Sequence, residues 1–230
     1  MHHVFHALRN GLVVSCQAEG DDPFNSPEGV SLFARAAIMG GAVAIRTEGK
    51  AKTAEIKKHV SVPVIGLIKS YFDDGFVRIT GSKQDVLDLI EVKCDIIAID
   101  GTFRVRESLT GPDFIRSIKR EFSCLIMADI ATIDEGMACI EAGADCLSTT
   151  LSGYTPETQS RISDHKPDYG LLEELVKRSP IPVFAEGRIN TPDDAKRMMN
   201  LGAWGVVVGT VITRPRVVTS WFVDAVNQKH

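Results

Sequence analysis

The sequence lacks the features that distinguish membrane, secreted and nucleic-acid-binding proteins. Its apolar runs, such as residues 62–68, are interrupted long before the roughly 18 to 20 residues that a membrane helix needs. The N-terminal residues contain no long apolar stretch followed by a small-residue cleavage site, which argues against a signal peptide. Lys and Arg number 26 against 30 Asp and Glu, with no basic block that could follow a phosphodiester backbone. We therefore expect a cytoplasmic protein with neither a membrane nor nucleic acid as a partner.

Cysteine and histidine are poorly placed for a disulfide framework or a metal site. The cysteines are odd in number, form no C-x-x-C pair and lie in or beside aliphatic runs: Cys16, Cys94, Cys124, Cys139 and Cys146. This pattern is typical of reduced thiols in a protein core. The histidines fall in predicted helices, loops or termini and not at strand ends: His2, His3, His6, His59, His165 and His230. We therefore expect no metal ligands.

The sequence repeats a strand followed by a helix eight times. The strand candidates are residues 11–17, 42–47, 63–69, 94–100, 124–130, 144–150, 181–187 and 204–210. They are almost continuously hydrophobic, as parallel strands buried on both faces are, and amphipathic segments separate them. Eight such units in this length favour a (β/α)8 TIM barrel of the α/β class over an open doubly wound sheet. No linker divides the chain, so we expect one domain over residues 1–230, with a short additional helix within residues 1–10.

Polar residues stand at the predicted carboxyl ends of almost all these strands, where barrels of this class carry their chemistry. In chain order they are Gln17, Arg46, Lys69, Asp100, Asp129, Thr149 with Thr150, Glu186, and Gly209 with Thr210. One or two of them could be ordinary polar residues of the barrel rim. So many converging polar ends predict a binding site.

The last two strands end in small residues that suit a phosphate group. Glu186-Gly187-Arg188 and Val208-Gly209-Thr210 allow bare backbone N–H groups to turn toward an anion, at the usual phosphate site of these barrels. Arg214 follows shortly and could add a charged fork, or it could be a solvated surface arginine.

Lys69 and Glu186 lie four strands apart, so they should face each other across the barrel mouth. Epimerisation beside a carbonyl removes a proton from one face of a carbon and returns one to the other face. A small sugar phosphate between these two groups would have one titratable group on each face. The alternative is an ion pair of Lys69 with Glu186 or Asp129 that merely closes the rim.

Seven segments carry a resemblance to a known family. They are residues 14–18, 44–46, 63–69, 127–130, 149–155, 185–189 and 207–215. The stretch Thr-Thr-Leu-Ser-Gly-Tyr-Thr at 149–155 is the most specific, because neither barrel packing nor turn chemistry demands it. Over nearly its whole length the sequence resembles the N-acylglucosamine-6-phosphate 2-epimerases.

The resemblance implies a cofactor-independent isomerase of sialic acid and amino sugar breakdown. Such an enzyme interconverts N-acetylmannosamine 6-phosphate and N-acetylglucosamine 6-phosphate by deprotonation and reprotonation at C2. Lys69 and Glu186 look like the catalytic pair. The implied substrate-binding residues are Gln17, Arg46, Asp129, Thr149 and Arg214, and the implied phosphate-binding residues are Gly187, Arg188, Gly209 and Thr210.

The segment after Lys69 departs from the family pattern. Family members often continue with Arg-Asp-Tyr, whereas this chain reads Ser70-Tyr71-Phe72-Asp73-Asp74. The later residues 79–82, Ile-Thr-Gly-Ser, also lack an expected proline. We expect these changes to affect loop contacts or turnover more than the reaction.

Two other functions compete with this one. Another phosphate-handling barrel is disfavoured, because a pentulose-phosphate 3-epimerase needs the missing His ligands and an isomerase of amino acid biosynthesis needs a second Gly-rich phosphate end. A barrel that senses a sugar phosphate without catalysis is opposed by the presence of Lys69 and Glu186.

The final helix predicts a homodimer. Its apolar residues spread over more than one face: Val217, Val218, Trp221, Phe222, Val223 and Val226. Packing against a single barrel needs only one apolar face, so a second copy of the chain is expected to cover the other.

Overall fold

The computed structural model describes residues 2–72, 75–161 and 166–227 and contains a closed barrel of parallel strands. The barrel strands are β1 (Leu12–Cys16), β2 (Ala44–Glu48), β3 (Val64–Leu67), β6 (Ile96–Asp100), β7 (Ile126–Asp129), β8 (Cys146–Ser148), β9 (Val183–Glu186) and β10 (Gly205–Val208). They follow one another in chain order around the barrel, and β10 pairs with β1. The predicted (β/α)8 architecture is confirmed. Met1, Asp73, Asp74, His165 and His230 lie outside the described residues.

Helices connect the barrel strands on the outside. They are α1 (His3–Leu8), α2 (Pro27–Met39), α3 (Lys50–His59), α4 (Lys83–Glu91), α5 (Gly111–Glu121), α6 (Ile133–Glu141), α7 (Tyr169–Arg178), α8 (Pro192–Asn200), α9 (Thr210–Thr213) and α10 (Pro215–Asn227). Helices α4, α6 and α8 each begin with a capping box, in which a Ser or Thr and the acidic residue three positions later bond each other's backbone N–H. None of the described helices has the length and apolar character needed to cross a membrane.

Alternation along the barrel strands separates two apolar layers. One set of buried side chains packs between the strands and the surrounding helices, for example Ile97 and Ile99 of β6 against Ile115 of α5. The other set fills the barrel interior, including Ile96, Met127 and Phe184. The strands are therefore buried on both faces, which explains their nearly continuous hydrophobicity.

The N-terminal helix α1 closes the amino end of the barrel. It is the short additional helix that was predicted within residues 1–10. Phe5 and Leu8 are buried among the interior side chains. Trp204 Nε1 donates to the Phe5 carbonyl at 2.8 Å, and the Asn10 N–H donates to the Trp204 carbonyl at 2.8 Å.

The predicted C-terminal end of the third strand, residues 63–69, is wrong. The barrel strand β3 stops at Leu67, and Lys69 begins a separate antiparallel hairpin of β4 (Lys69–Tyr71) and β5 (Val77–Ile79). The eighth prediction, residues 204–210, also runs too far, because Thr210 begins α9. Both predicted strands continue past the last barrel pairing, which is at Leu67 in β3 and at Val208 in β10, so the sequence pattern alone did not mark where the strand ends.

The cysteines are core thiols, as predicted. All five are free, and burial raises the pKa of Cys16 and of Cys94 to about 12. At neutral pH these two thiols are protonated and behave as small apolar side chains.

Candidate active site

A cavity of about 490 Å³ opens at the carboxyl ends of the barrel strands. Most of the site residues predicted from the sequence line it: Gln17, Arg46, Lys69, Glu186, Gly187, Arg188, Gly209, Thr210 and Arg214. Asp129 and Thr149 are buried beside it without lining it. Asp100 is also outside the lining, and Arg104 and Arg106 pair with its carboxylate at 2.7 and 2.9 Å.

Arg46 provides a buried positive charge at the base of the cavity. Its two terminal nitrogens donate to the two oxygens of Asp129 at 3.1 and 2.6 Å, and both side chains are almost fully buried. Arg46 Nε lies 3.3 Å from Glu186 Oε1 without hydrogen-bond alignment. Burial opposes the charge of Arg46, but the two carboxylates outweigh burial and raise its pKa. The guanidinium therefore stays charged, and Asp129 fixes its orientation from behind.

Glu186 is a carboxyl held by hydroxyl groups at the end of β9. Its Oε2 lies 3.1 Å from Ser148 Oγ and 3.0 Å from Thr150 Oγ1, and its side chain is 12% exposed. Burial raises the pKa of Glu186 above its ordinary value, although Arg46 opposes this. Burial likewise raises the pKa of Asp129. Glu186 is therefore a buried carboxyl that can take up and release a proton closer to neutrality than a solvated one.

The two threonines at the end of β8 have different roles. The Thr149 hydroxyl accepts from the Glu186 N–H at 3.0 Å and donates to the Glu186 carbonyl at 2.9 Å, so Thr149 fixes the backbone of Glu186. Its predicted place in the cavity lining is taken by Thr150, whose hydroxyl also lies 2.8 Å from Asp129 Oδ1. Thr150 Oγ1 thus lies within hydrogen-bond distance of both carboxyls, and its single hydroxyl proton can serve only one of them at a time.

Lys69 contacts the carboxylate of Glu19 and not those of Glu186 or Asp129. The rim-closing ion pairs considered in the sequence analysis are therefore wrong. The partner differs because Lys69 stands on the hairpin, beyond the end of β3. Lys69 and Glu186 both line the cavity, and neither bonds the other in the described residues.

Glu19 is a site residue that the sequence analysis missed. It accepts from Arg214 at 3.1 Å as well as from Lys69, so it joins two cations across the cavity edge. Burial alone would raise the pKa of Glu19, but Lys69 and Arg214 outweigh burial and lower it. The available signal was an acidic residue two positions beyond the end of the first predicted strand.

The ends of β9 and β10 form two adjacent glycine turns. Gly187 has φ of 105°, a left-handed conformation that favours glycine. Gly209 precedes α9, and the first N–H groups of a helix have no partner within it. The two turns meet because β9 and β10 pair with Glu186 beside Val207. This corner offers backbone donors to an anion.

The Arg188 side chain is already engaged within the protein. Its guanidinium donates to the carbonyls of Ser152 and Lys166 at 2.6 and 2.7 Å and lies over the Tyr154 ring. The part of Arg188 that remains for a phosphate group is its backbone. Gln17 donates from Nε2 to Ser15 Oγ at 2.8 Å, which leaves its carbonyl oxygen for another partner.

No three His, Cys, Asp or Glu side chains come together to hold a metal ion in the part of the chain that the structure describes. The carboxyls of Asp129 and Glu186 are instead arranged around the guanidinium of Arg46. Arg46 is thus the cation that this arrangement presents to a developing negative charge.

Comparison with known proteins agrees with this architecture. A family profile described as "Putative N-acetylmannosamine-6-phosphate epimerase" matches residues 30–228. A relative from Clostridioides difficile named "Putative N-acetylmannosamine-6-phosphate 2-epimerase" is 45% identical over 220 residues, covering 95% of this chain and 97% of the relative. A relative of the same name from Caldanaerobacter subterraneus subsp. tengcongensis is 43% identical over 231 residues, covering 98% and 95%.

Solved structures give the same picture. The N-acetylmannosamine-6-phosphate 2-epimerase from Clostridium perfringens superposes with a TM-score of 0.90 at 42% identity, covering 97% of this chain and 96% of that one. A thiamine phosphate pyrophosphorylase from Pyrococcus furiosus, with a TM-score of 0.60 at 18% identity, shares the fold alone.

Proposed function

Because the chain belongs to the N-acetylmannosamine-6-phosphate epimerase family, we propose that it is an isomerase that interconverts N-acetylmannosamine 6-phosphate and N-acetylglucosamine 6-phosphate. The observation that carries this proposal is one cavity that contains Lys69, Glu186 and the charged guanidinium of Arg46 beside two glycine turns. These groups supply what inversion at C2 of a sugar phosphate needs.

The reaction inverts C2, whose hydrogen is acidic because the open-chain sugar has an aldehyde at C1. One of Lys69 and Glu186 takes this proton, and the other returns a proton to the opposite face. The negative charge that develops on the aldehyde oxygen meets Arg46, whose orientation Asp129 fixes. The raised pKa of Glu186 suits a group that exchanges a proton in both directions.

We assign the 6-phosphate to the corner formed by the two glycine turns, at Gly187 after β9 and at Gly209 after β10. The backbones of Gly187, Arg188, Gly209 and Thr210 surround it, and Arg214 lies at the same cavity. Gln17 is assigned to a sugar hydroxyl or the N-acyl group, and Thr149 acts by fixing the Glu186 backbone.

The chemistry needs no cofactor, because the acid, the base and the positive charge all come from side chains. We place the protein in the cytoplasm, in the breakdown of sialic acid and amino sugars. Activity should accordingly survive exhaustive treatment with a chelator. Loss of activity that returns with added zinc or manganese would contradict this proposal.

We assign a homodimer to the apolar surface of α10. No residue of this helix is buried, and Phe222 and Val226 are 69% and 82% exposed. A second copy of the chain is the occupant we propose, since the apolar residues that a barrel-packed helix would bury are uncovered here.

The direct test is an NMR assay of the purified protein with each sugar phosphate in turn. We expect both directions to reach the same equilibrium mixture. Lys69→Met removes an amine and Glu186→Gln removes a proton acceptor, and each should lower kcat by roughly 10² to 10⁴. A protein that binds the sugars without interconverting them would instead be a sensor.

A further inference from the structure

The hairpin places Lys69 beyond the rigid barrel. Strand β3 ends at Leu67, and Lys69 pairs with Ile79 across the hairpin. The hydrogen-bond ladder that orients Arg46 and Glu186 on β2 and β9 therefore does not extend to Lys69. Another contact must set the direction in which the chain leaves the barrel at this point.

Thr80 makes that contact at the base of the hairpin. Its N–H donates to the Ile68 carbonyl at 2.6 Å, and its hydroxyl accepts from the Ile68 N–H at 3.2 Å. Thr80 thus bonds both backbone polar groups of Ile68, the residue before Lys69: its N–H bonds the carbonyl and its hydroxyl bonds the N–H. Thr80 is fully buried, so no solvent competes for these bonds.

The backbone of Thr80 is strained. Its φ is 50°, in the left-handed region that a β-branched residue rarely occupies. Glycine would meet this backbone demand at lower cost, but it has no hydroxyl to accept from Ile68. Such strain points to a local requirement that outweighs it.

A second bond attaches the other side of Lys69 to the barrel. Ser70 Oγ donates to Asp85 Oδ2 at 3.1 Å, and the same oxygen accepts from the Ser82 N–H in the capping box of α4. Helix α4 is itself packed into the core through Val86. Lys69 is therefore held between two attached neighbours, Ile68 and Ser70.

We propose that Thr80 is a positioning residue for Lys69: its hydroxyl bond to Ile68 aims the Lys69 amine into the cavity. The inference rests on the proposed function, in which Lys69 exchanges the proton at C2. Displacement of a catalytic group by about 1 Å lowers a rate by about 10²-fold, so such a bond affects turnover although Thr80 never touches the sugar.

The test compares Thr80→Val with Thr80→Ser. Valine keeps the shape and branching but lacks the hydroxyl, whereas serine keeps the hydroxyl. We expect Thr80→Val to lower kcat roughly 10- to 100-fold while KM changes little, and Thr80→Ser to restore most of the rate. Thr53→Val is the matched control, because Thr53 is equally buried and its hydroxyl donates to the Gly49 carbonyl at the start of α3, away from the hairpin.

A second measurement does not depend on activity. The rate at which an amine reagent labels Lys69, measured by peptide mass spectrometry against the remote Lys93, reports how the amine is held. We expect faster labelling in Thr80→Val, and wild-type labelling in Thr80→Ser and Thr53→Val. If Thr80→Val does not fold, Thr80→Gly replaces it, because glycine accepts the φ of 50° without the hydroxyl.

A folded hydroxyl-free variant with wild-type kcat and wild-type labelling would overturn the inference. Thr80→Ser as defective as Thr80→Val would overturn it too, because the hydroxyl would not be the cause. If the wild-type protein failed to interconvert the sugars, the proposed function would fall, and the labelling comparison alone would still decide the role of Thr80.

Discussion

Among the single side chains, Arg46 is the one on which the chemistry of the cavity depends most. It bonds Asp129 through two nitrogens and lies 3.3 Å from Glu186, so one guanidinium organises both carboxyls. A lysine would keep the charge but not the planar fork that matches a carboxylate.

Arg46→Lys should therefore lose both activity and stability. We expect kcat to fall by about 10²-fold, and the free energy of unfolding to fall by about 3 kcal/mol, because the paired carboxylates stay buried. Urea denaturation and the epimerase assay measure the two effects. Arg216→Lys is the control, since Arg216 pairs with Asp21 at the surface and should change neither quantity. Wild-type kcat and wild-type stability of Arg46→Lys would show that a positive charge at this position is sufficient and that the guanidinium fork is not needed.

The raised pKa of Glu186 has a consequence for stability. A carboxyl whose pKa rises on folding stabilises the fold while it is protonated, below its ordinary pKa near 4.5, and this contribution disappears as pH rises through the folded value. Glu186→Gln cannot ionise, so its stability relative to that of the wild type should increase as pH rises above 4.5. Urea denaturation across this range measures the difference. A difference independent of pH would mean that burial of Glu186 is not coupled to its ionisation.

For single residues, the sequence indicated which residue types meet at the site but not which contact each of them makes. Thr149 and Thr150 are adjacent, and only the direction of each side chain decides that one bonds the Glu186 backbone and the other lines the cavity. Glu19 belongs to a loop, where no periodic pattern predicts a contact with Lys69.

At the scale of elements, strand positions were predictable and strand ends were not. The eight apolar runs all became barrel strands, because burial on both faces requires such runs. The end of β3 depends on the pairing of Lys69–Tyr71 with Val77–Ile79, which lies further along the chain than a local pattern reaches.

The turn after β9 provides a prediction at this scale. Gly187→Ala has room for its Cβ, since the nearest neighbour lies at 3.8 Å, but the φ of 105° strains it. We expect a stability loss of about 1 to 2 kcal/mol and a clear rise in KM for the phosphorylated sugar. Gly41→Ala is the control, because its φ of 97° and open surroundings impose the same strain at the start of the loop before β2. An equal rise in KM in both variants would contradict the assignment of the 6-phosphate to the turn at Gly187.

In the molecule as a whole, the barrel leaves helix α10 uncovered, with none of its residues buried. Phe222→Glu adds a charge to a residue that is 69% exposed, so it should leave the folded barrel intact. If a second copy covers α10, the variant should sediment as a monomer at micromolar concentration while the wild type sediments as a dimer. Leu87→Glu, at an exposed position on α4, should leave the dimer unchanged. A monomeric wild type would refute the homodimer.

In the proposed mechanism Lys69 and Glu186 move protons to and from opposite faces of C2, and a reaction in heavy water shows whether they do. A proton held on a side chain at an open barrel mouth exchanges with solvent, so we expect deuterium at C2 of the product formed in deuterium oxide. NMR of the product after many turnovers measures this incorporation. If C2 kept its original hydrogen quantitatively, a mechanism with two opposed groups would be contradicted in favour of a shielded single base.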